Sequence, residues 1–302
     1  MFFTARRRLA QPITSNIKQR TFATSPPKQS AIQVNRIAGG CGAEISGIDL
    51  KQLDLSTAHS IRQALLSNLV IFFREQPLSP SEFLTFSSFF GQPVEYPFVS
   101  GIEGHPTIIE VLKNESETTN FGGVWHSDTT YLASPPMCSI LLAHEIPAVG
   151  GDTLWSNQYL AYETLSPGLR STLDGMKCVQ SSAKADASKT REDRVKDSGK
   201  GSEHMEQLHP VVRTHPETGR KALFVNVAHT TRFEGWSEEE SAPLLRYLHA
   251  HQVKPEFTCR LRWQPGTIAF WDNRCTQHYP LNDYHGYRRR MHRITLAGDK
   301  PV

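Results

Sequence analysis

A mainly β fold with flanking helices, closed as a double-stranded β-helix (jelly roll), is predicted by three features of the sequence. Short apolar or alternating runs of strand length recur along most of the chain, turn signals rich in glycine and proline separate them, and few stretches carry helical spacing. At 302 residues the chain can bury a sizeable core as one large domain. No internal repeat is visible.

After a Pro-Pro and Ser-rich break near residues 25–30, residues 32–48 read as strand and turn around Gly39, Gly40 and Gly42. Residues 56–66 carry Ile61 and Leu65 on one helical face, and the unbroken apolar run 69–73 has the length of a buried strand. Ser79-Pro80-Ser81-Glu82 is a capping box with proline at the first helical position, and Phe83, Phe86 and Phe90 follow at helical spacing as core residues before Gly91. Strands are then expected over 125–131 and 137–146, a turn at Gly150-Gly151 leads into a strand reaching Trp155, and 157–165 reads as a short helix. Residues 181–206 are nearly free of large apolar side chains, cannot pack a core, and make a candidate lid or a plain surface loop. Strands follow at 211–214 and 223–227 about a turn at 216–219. Ser237 to Glu240 form a second capping box opening a helix through Leu244, Leu245 and Leu248. Strands 257–263 and 267–271, His278 and an arginine-rich strand ending at Leu296 close the chain.

Hydrophobic residues at 38% and charged residues at 21% describe an ordinary globule, and a net charge of +3 is too small to argue for nucleic acid. No window has the apolar length to span a membrane. The five cysteines are scattered without a C-x-x-C pair, which favours neither a zinc site nor a disulfide framework and fits a reducing compartment. Residues 1–30 differ in kind: Arg6, Arg7, Arg8, Lys18, Arg20 and Lys28 stand among Ser and Thr, and the first acid is Glu44. That is the composition of a mitochondrial targeting segment, disordered by itself, and 20–25 resembles a matrix-protease site. The expected organisation is therefore a targeting segment over 1–30 and a catalytic domain over 31–302, in the mitochondrial matrix, with a cytoplasmic protein bearing a basic tail as the alternative. A fluorescent reporter fused to residues 1–35 is expected to enter mitochondria; a diffuse cytosolic signal would remove this reading.

Trp125-His126-Ser127-Asp128 is the stretch with chemistry in it. Side chains alternate along an extended backbone, so His126 and Asp128 project to one face. Together with a distant histidine such as His278 they would make a two-histidine, one-carboxylate facial triad, which leaves half of an octahedral iron(II) open for substrate and oxygen. On the last strand Arg289, Met291 and Arg293 share parity, placing two guanidinium groups on one face about 13 Å apart. Buried arginines need anionic partners, and their planar fork matches carboxylates and sulfonates. Arg288 and Arg290 read as a solvated basic edge.

The ordered set of motifs resembles the TauD/TfdA (taurine dioxygenase) family of Fe(II)/2-oxoglutarate-dependent dioxygenases over residues 32–301. It is carried by Trp125 to Asp128, by the Gly-Gly-Asp-Thr-Leu-Trp of 150–155, by the His-Pro-Val-Val-Arg-Thr-His-Pro of 209–216, by the Trp-Asp-Asn-Arg-Cys-Thr-Gln-His-Tyr of 271–279, and by the arginine run at 288–293. The resemblance implies that His126, Asp128 and His278 bind Fe(2+), that Thr153 and Arg289 hold the far carboxylate of the co-substrate 2-oxoglutarate, and that Arg293 meets an anionic group of the substrate. With O2 as second co-substrate, 2-oxoglutarate is decarboxylated to succinate and CO2 while the substrate is hydroxylated; hydroxylation beside a sulfonate would release sulfite. No catalytic group beyond the iron centre is expected.

Where the taurine-specific member of the family contacts substrate through His and Asn, this chain has Tyr96 and Gly122, and His229 occupies an aromatic pocket position. Lost polar contacts in a buried site change selectivity strongly, so a larger or less polar sulfonate, sulfate ester or carboxylate stands at least level with taurine. The expected partner is a small anionic organic substrate, with no nucleic acid and no membrane; a homo-oligomer is left open. Two other readings remain: a mitochondrial hydroxylase of a trimethylammonium acid, whose relatives carry a cysteine-rich zinc domain that this chain lacks, and a non-catalytic jelly-roll binding module.

Overall fold

Met1, residues 32–183 and residues 204–302 are described by the computed structural model. The targeting segment predicted over 1–30 lies outside the described residues apart from Met1, and so does most of the candidate lid, 184–203. In chain order the strands are β1 (Gln33–Arg36), β2 (Ala43–Ser46), β3 (Val70–Phe73), β4 (Pro93–Val94), β5 (Ile108–Lys113), β6 (Cys138–Glu145), β7 (Thr153–Asn157), β8 (Lys177–Ser181), β9 (Glu206–Pro210), β10 (Val212–Thr214), β11 (Lys221–Leu223), β12 (Thr230–Phe233), β13 (Thr258–Leu261), β14 (Ile268–Asp272), β15 (Thr276–Pro280) and β16 (Arg289–Leu296). The helices are α1 (Leu55–Asn68), α2 (Pro80–Ser88), α3 (Gln158–Glu163), α4 (Pro167–Leu173) and α5 (Glu238–His251).

Two sheets facing each other make the jelly roll. The larger runs β1-β2-β3-β14-β6-β16-β4, with β5 also paired to β16, and the smaller runs β13-β7-β15. Period-two alternation sorts the apolar side chains between two cores. Ile71, Phe73, Ile140, Leu142, Ile268, Phe270 and Ile294 face outward onto Ile61 and Leu65 of α1 and Phe83 and Phe86 of α2. Their neighbours Val70, Phe72, Leu141, Ala143, Ala269, Trp271 and Met291 face inward onto Trp155, Cys259 and Leu261 of the smaller sheet. Both faces of β3, β6 and β14 are therefore covered, which is why residues 70–73, 140–143 and 268–271 read as unbroken apolar runs. Each fully buried Phe or Leu contributes roughly 1.5–3 kcal/mol.

Local signals place the helices. Both capping boxes form: Glu82 N–H donates to Ser79 Oγ (3.3 Å) while Ser79 N–H donates to Glu82 Oε2 (2.7 Å), and Ser237 and Glu240 do the same at 3.1 and 2.8 Å. Asn157 caps α3 by accepting from Tyr159 and Leu160. Three expectations need correction. Residues 125–131 do not form a strand: His126 makes one isolated bridge to His278, and the chain then turns through Thr129 at φ 41. The strand expected at 223–227 lies instead at β11, where pairing with β10 sets its register. The strand expected at 257–263 begins as a 3-10 turn at Pro255–Phe257 and pairs only over β13. Strands β4, β5, β8, β9, β12 and β15 and helix α4 go beyond the expectations above; α4 hides behind Gly168, although Ser166 caps it and Pro167 opens it.

Candidate active site

His126, Asp128 and His278 come together between the two sheets, their donor atoms within 4.8 Å of one another and all three side chains buried. The bridge sets this geometry, because His126 N–H donates to His278 O (3.0 Å) and His278 N–H to His126 O (2.8 Å). Ser127 adds an anchor on the same strand by donating to Thr276 O at 2.6 Å. Asp128, two residues beyond His126, presents Oδ1 to both histidines before the chain turns through Thr129. Nε2 of His126 and Nε2 of His278 lie 3.7 and 3.9 Å from Asp128 Oδ1. Three facial ligands roughly 2.1 Å from one ion stand about 3 Å apart, so a small inward closure suffices to seat it.

The protonation states suit a cation. His126 Nδ1 lies 2.8 Å from Val124 O, which fixes the proton there and leaves the Nε2 lone pair facing Asp128. Burial holds the pKa of both His126 and His278 below the ordinary imidazole value. Burial pushes the Asp128 carboxyl up, but Arg293, the two histidines and Ser139 outweigh it and keep it well below its usual range. Its Oδ2 accepts from Arg293 NH2 at 2.6 Å and from Ser139 Oγ at 2.7 Å.

A second convergence among the described residues, His215, Asp272 and Cys275, is committed to internal hydrogen bonds and has no imidazole lone pair to offer. Nδ1 of His215 accepts from the amides of Glu217 and Thr218, so its proton sits on Nε2 and points at Asp272, 3.0 Å away. Asp272 is occupied by Arg274, and burial pushes the Cys275 thiol up, away from thiolate. This is a structural network.

Buried imidazoles make stability pH-dependent. Burial, with His144 and Arg290 adding to it, pushes His292 down to about 4. The unfolded chain binds protons first, near the ordinary histidine value of about 6.5. This contribution is complete above that value and is lost as pH falls toward about 4. Melting temperature is expected to fall across that window, and a flat profile would contradict the buried, neutral histidines.

The cavity beside the metal cluster is lined by Thr153, Arg289 and Arg293 together with Phe121, Leu141, Trp155 and Trp271. Arg289 is 5% exposed, yet its Nε and NH2 have no hydrogen-bond partner, which is costly for a buried cation. Thr153 Oγ1 accepts from Trp263 Nε1 at 3.0 Å, leaving its own proton to donate into the cavity. Arg293 departs from expectation: its counter-ion in this structure is Asp128, with Nε left unpartnered. Arg288 and Arg290 lie on the opposite face and pair with Glu145.

The three positions expected to touch substrate also converge here. Tyr96 stands 5.5 Å from the Arg293 guanidinium, ring centroid to Cζ. From Tyr96 an aromatic wall runs through Phe98 and Tyr131 to His229, which meets the His126 ring edge-on at 6.4 Å. Gly122 has φ +72, and a Cβ there would fall 2.7 Å from His126 Cε1, so only glycine lets this loop cross the ligand ring. Sequence reasoning missed Phe121, Tyr131, Ser139 and Asn273 as site residues. For Ser139 a signal existed: it is a lone hydroxyl inside an apolar strand and needs a partner when buried.

A jelly roll holding a two-histidine, one-carboxylate cluster beside a buried arginine with two unpartnered nitrogens defines an Fe(II)/2-oxoglutarate-dependent dioxygenase. The sequence matches the family described as "Taurine catabolism dioxygenase TauD, TfdA family" over residues 33–295, and the chain belongs to that family. It is 38% identical to an alkylsulfatase of Acinetobacter baylyi over 92% of this chain and 88% of the relative. It is 36% identical to an alpha-ketoglutarate-dependent sulfate ester dioxygenase of Pseudomonas putida, over 91% and 93% respectively. A crystal structure of a taurine dioxygenase from Burkholderia xenovorans superposes with a TM-score of 0.77 at 38% identity, covering 90% of this chain and 93% of that one.

Proposed function

We propose that this dioxygenase cleaves alkyl sulfate esters by hydroxylating the carbon that carries the sulfate. The carrying observation is Arg293: a buried guanidinium between the metal cluster and an aromatic wall, with Nε free for an anion. A charged head beside an apolar wall suits a sulfate on a hydrocarbon better than a small zwitterionic amine. The two relatives named for sulfate ester chemistry support the same choice.

In this reading His126 Nε2, Asp128 Oδ1 and His278 Nε2 hold iron(II), while Arg289 and Thr153 hold the far carboxylate of 2-oxoglutarate. Bound iron(II), with 2-oxoglutarate and O2, supplies an oxidant that puts one oxygen atom into a C–H bond and the other into succinate, releasing CO2. Arg293 fixes the sulfate, so that the adjacent carbon faces the cluster, and the rings of Tyr96, Phe98 and Tyr131 keep water out. The hydroxylated carbon then loses its C–O bond to sulfate and its hydroxyl proton, giving an aldehyde and inorganic sulfate. The proposed compartment, the mitochondrial matrix, rests on the basic, acid-free composition of residues 1–30.

Oxygen added to protein loaded with iron(II), 2-oxoglutarate and a medium-chain alkyl sulfate is expected to yield sulfate and succinate in equal amounts. Sulfite from an alkylsulfonate, with alkyl sulfates inert, would overturn the ester assignment; no coupled turnover with sulfates, sulfonates or carboxylates would favour a binding module. Arg293→Ala is expected to raise the substrate KM roughly 100-fold, the scale of a lost buried charge contact, with a much smaller effect on the 2-oxoglutarate KM. Equal effects on both would refute the role given to Arg293.

A further inference from the structure

Asp128 has two carboxylate oxygens, and their surroundings are unlike. Oδ1 faces both histidines, whereas Oδ2 is turned away from them and takes Arg293 NH2 and Ser139 Oγ. Behind Ser139 a chain of hydrogen bonds continues through buried groups: Asn273 Nδ2 donates to Ser139 Oγ (3.0 Å) and Trp271 Nε1 donates to Asn273 Oδ1 (2.9 Å). The same Trp271 ring packs on His278 at 4.9 Å. Sheet register puts these groups together, since Trp271 of β14 lies directly opposite Ser139 of β6.

We propose that Ser139 and Asn273 are positioning residues that keep Asp128 a one-oxygen ligand, and so keep a coordination position free for 2-oxoglutarate or oxygen. The inference rests on His126, Asp128 and His278 being the iron ligands, and it adds what decides how many atoms Asp128 contributes. A carboxylate with two donors on one oxygen presents only the other to an ion. Ser139 is the donor that stays. Arg293 is shared, because the guanidinium that balances Oδ2 also meets the substrate anion, and whatever part of it turns to the anion is lost to Asp128. Asn273 Nδ2 (3.0 Å) and, less closely, Arg293 NH2 (3.3 Å) donate to the serine oxygen, which leaves the hydroxyl proton directed at Oδ2. Without Ser139 the carboxylate can swing Oδ2 toward the ion and take a second position.

The test uses the full chain loaded anaerobically with iron(II) and titrated with 2-oxoglutarate, following the visible absorption of the chelate. Iron(II) affinity is measured separately on the same samples. Ser139→Ala is expected to bind iron(II) within a few-fold of wild type and 2-oxoglutarate roughly 10- to 100-fold more weakly, about 1.4–2.8 kcal/mol for displacing a second carboxylate oxygen from the ion. It should also form more succinate than product. Asn273→Ala keeps the hydroxyl but frees its orientation and should fall between the two, which preserves the test if Ser139→Ala folds poorly. Unchanged 2-oxoglutarate affinity and coupling in both variants, with iron bound, would overturn the proposal. So would a loss of iron affinity with normal 2-oxoglutarate binding once iron is saturating. Failure of the wild-type protein to bind iron(II) would instead sink the ligand assignment beneath it.

Discussion

Asp128→Ala is expected to abolish iron(II) binding and turnover and, in addition, to destabilise the folded protein without any metal present. The first effect follows from removing one of three ligands and the only negative one. The second follows from Arg293, which is 4% exposed and has Asp128 as its ion-pair partner at 2.6 Å. Removing the carboxylate leaves a buried guanidinium uncompensated, a loss of about 3–5 kcal/mol in comparable cases. Calorimetry of the metal-free proteins separates the two effects. The double variant Asp128→Ala/Arg293→Met should recover most of the stability while binding no more iron than the single one, since it removes the stranded charge but restores no ligand. Equal melting temperatures for wild type and Asp128→Ala would show that the ion pair does not contribute to the fold as described.

Arg289→Met carries the opposite sign in the unliganded protein. Two of its guanidinium nitrogens are buried without partners, so the charge is a cost until a dicarboxylate arrives. The variant is expected to melt at or above the wild-type temperature when no 2-oxoglutarate is present. Wild type at 100 times its Kd for 2-oxoglutarate gains about 2.7 kcal/mol by mass action, and the variant should lose that gain. Its KM for 2-oxoglutarate should rise roughly 100- to 1,000-fold, the scale of a charge-assisted bidentate contact left unmade. Thermal scans with and without 2-oxoglutarate check both halves. A destabilised variant that still responds fully to 2-oxoglutarate would place the co-substrate elsewhere.

What the sequence disclosed depended on how local the cause was. The capping boxes at Ser79 and Ser237 act over three residues, and the run 70–73 declares its own double burial, so α2, α5 and β3 were legible. The metal cluster was legible through the spacing of His126 and Asp128 and the ordered motifs around it, although the strand expected there is reduced to the isolated bridge at His126, with a turn following at Thr129. The pairing of Arg293 with Asp128 and the link from Asn273 to Ser139, 134 residues apart, depend on sheet register, which no local pattern reports. Because β6 lies between β14 and β16, Ser139 stands next to Trp271 on one side and near Arg293 on the other. A lone serine in an apolar strand signals that a partner exists without saying which.

The most direct measurement is an iron anomalous difference map from crystals grown anaerobically with iron(II) and 2-oxoglutarate. A single peak is expected at about 2.0–2.2 Å from His126 Nε2, His278 Nε2 and one oxygen of Asp128, with the far carboxylate of 2-oxoglutarate on Arg289. A peak at the His215, Asp272 and Cys275 cluster, or one that leaves any of the three ligands out of bonding reach, would contradict the account.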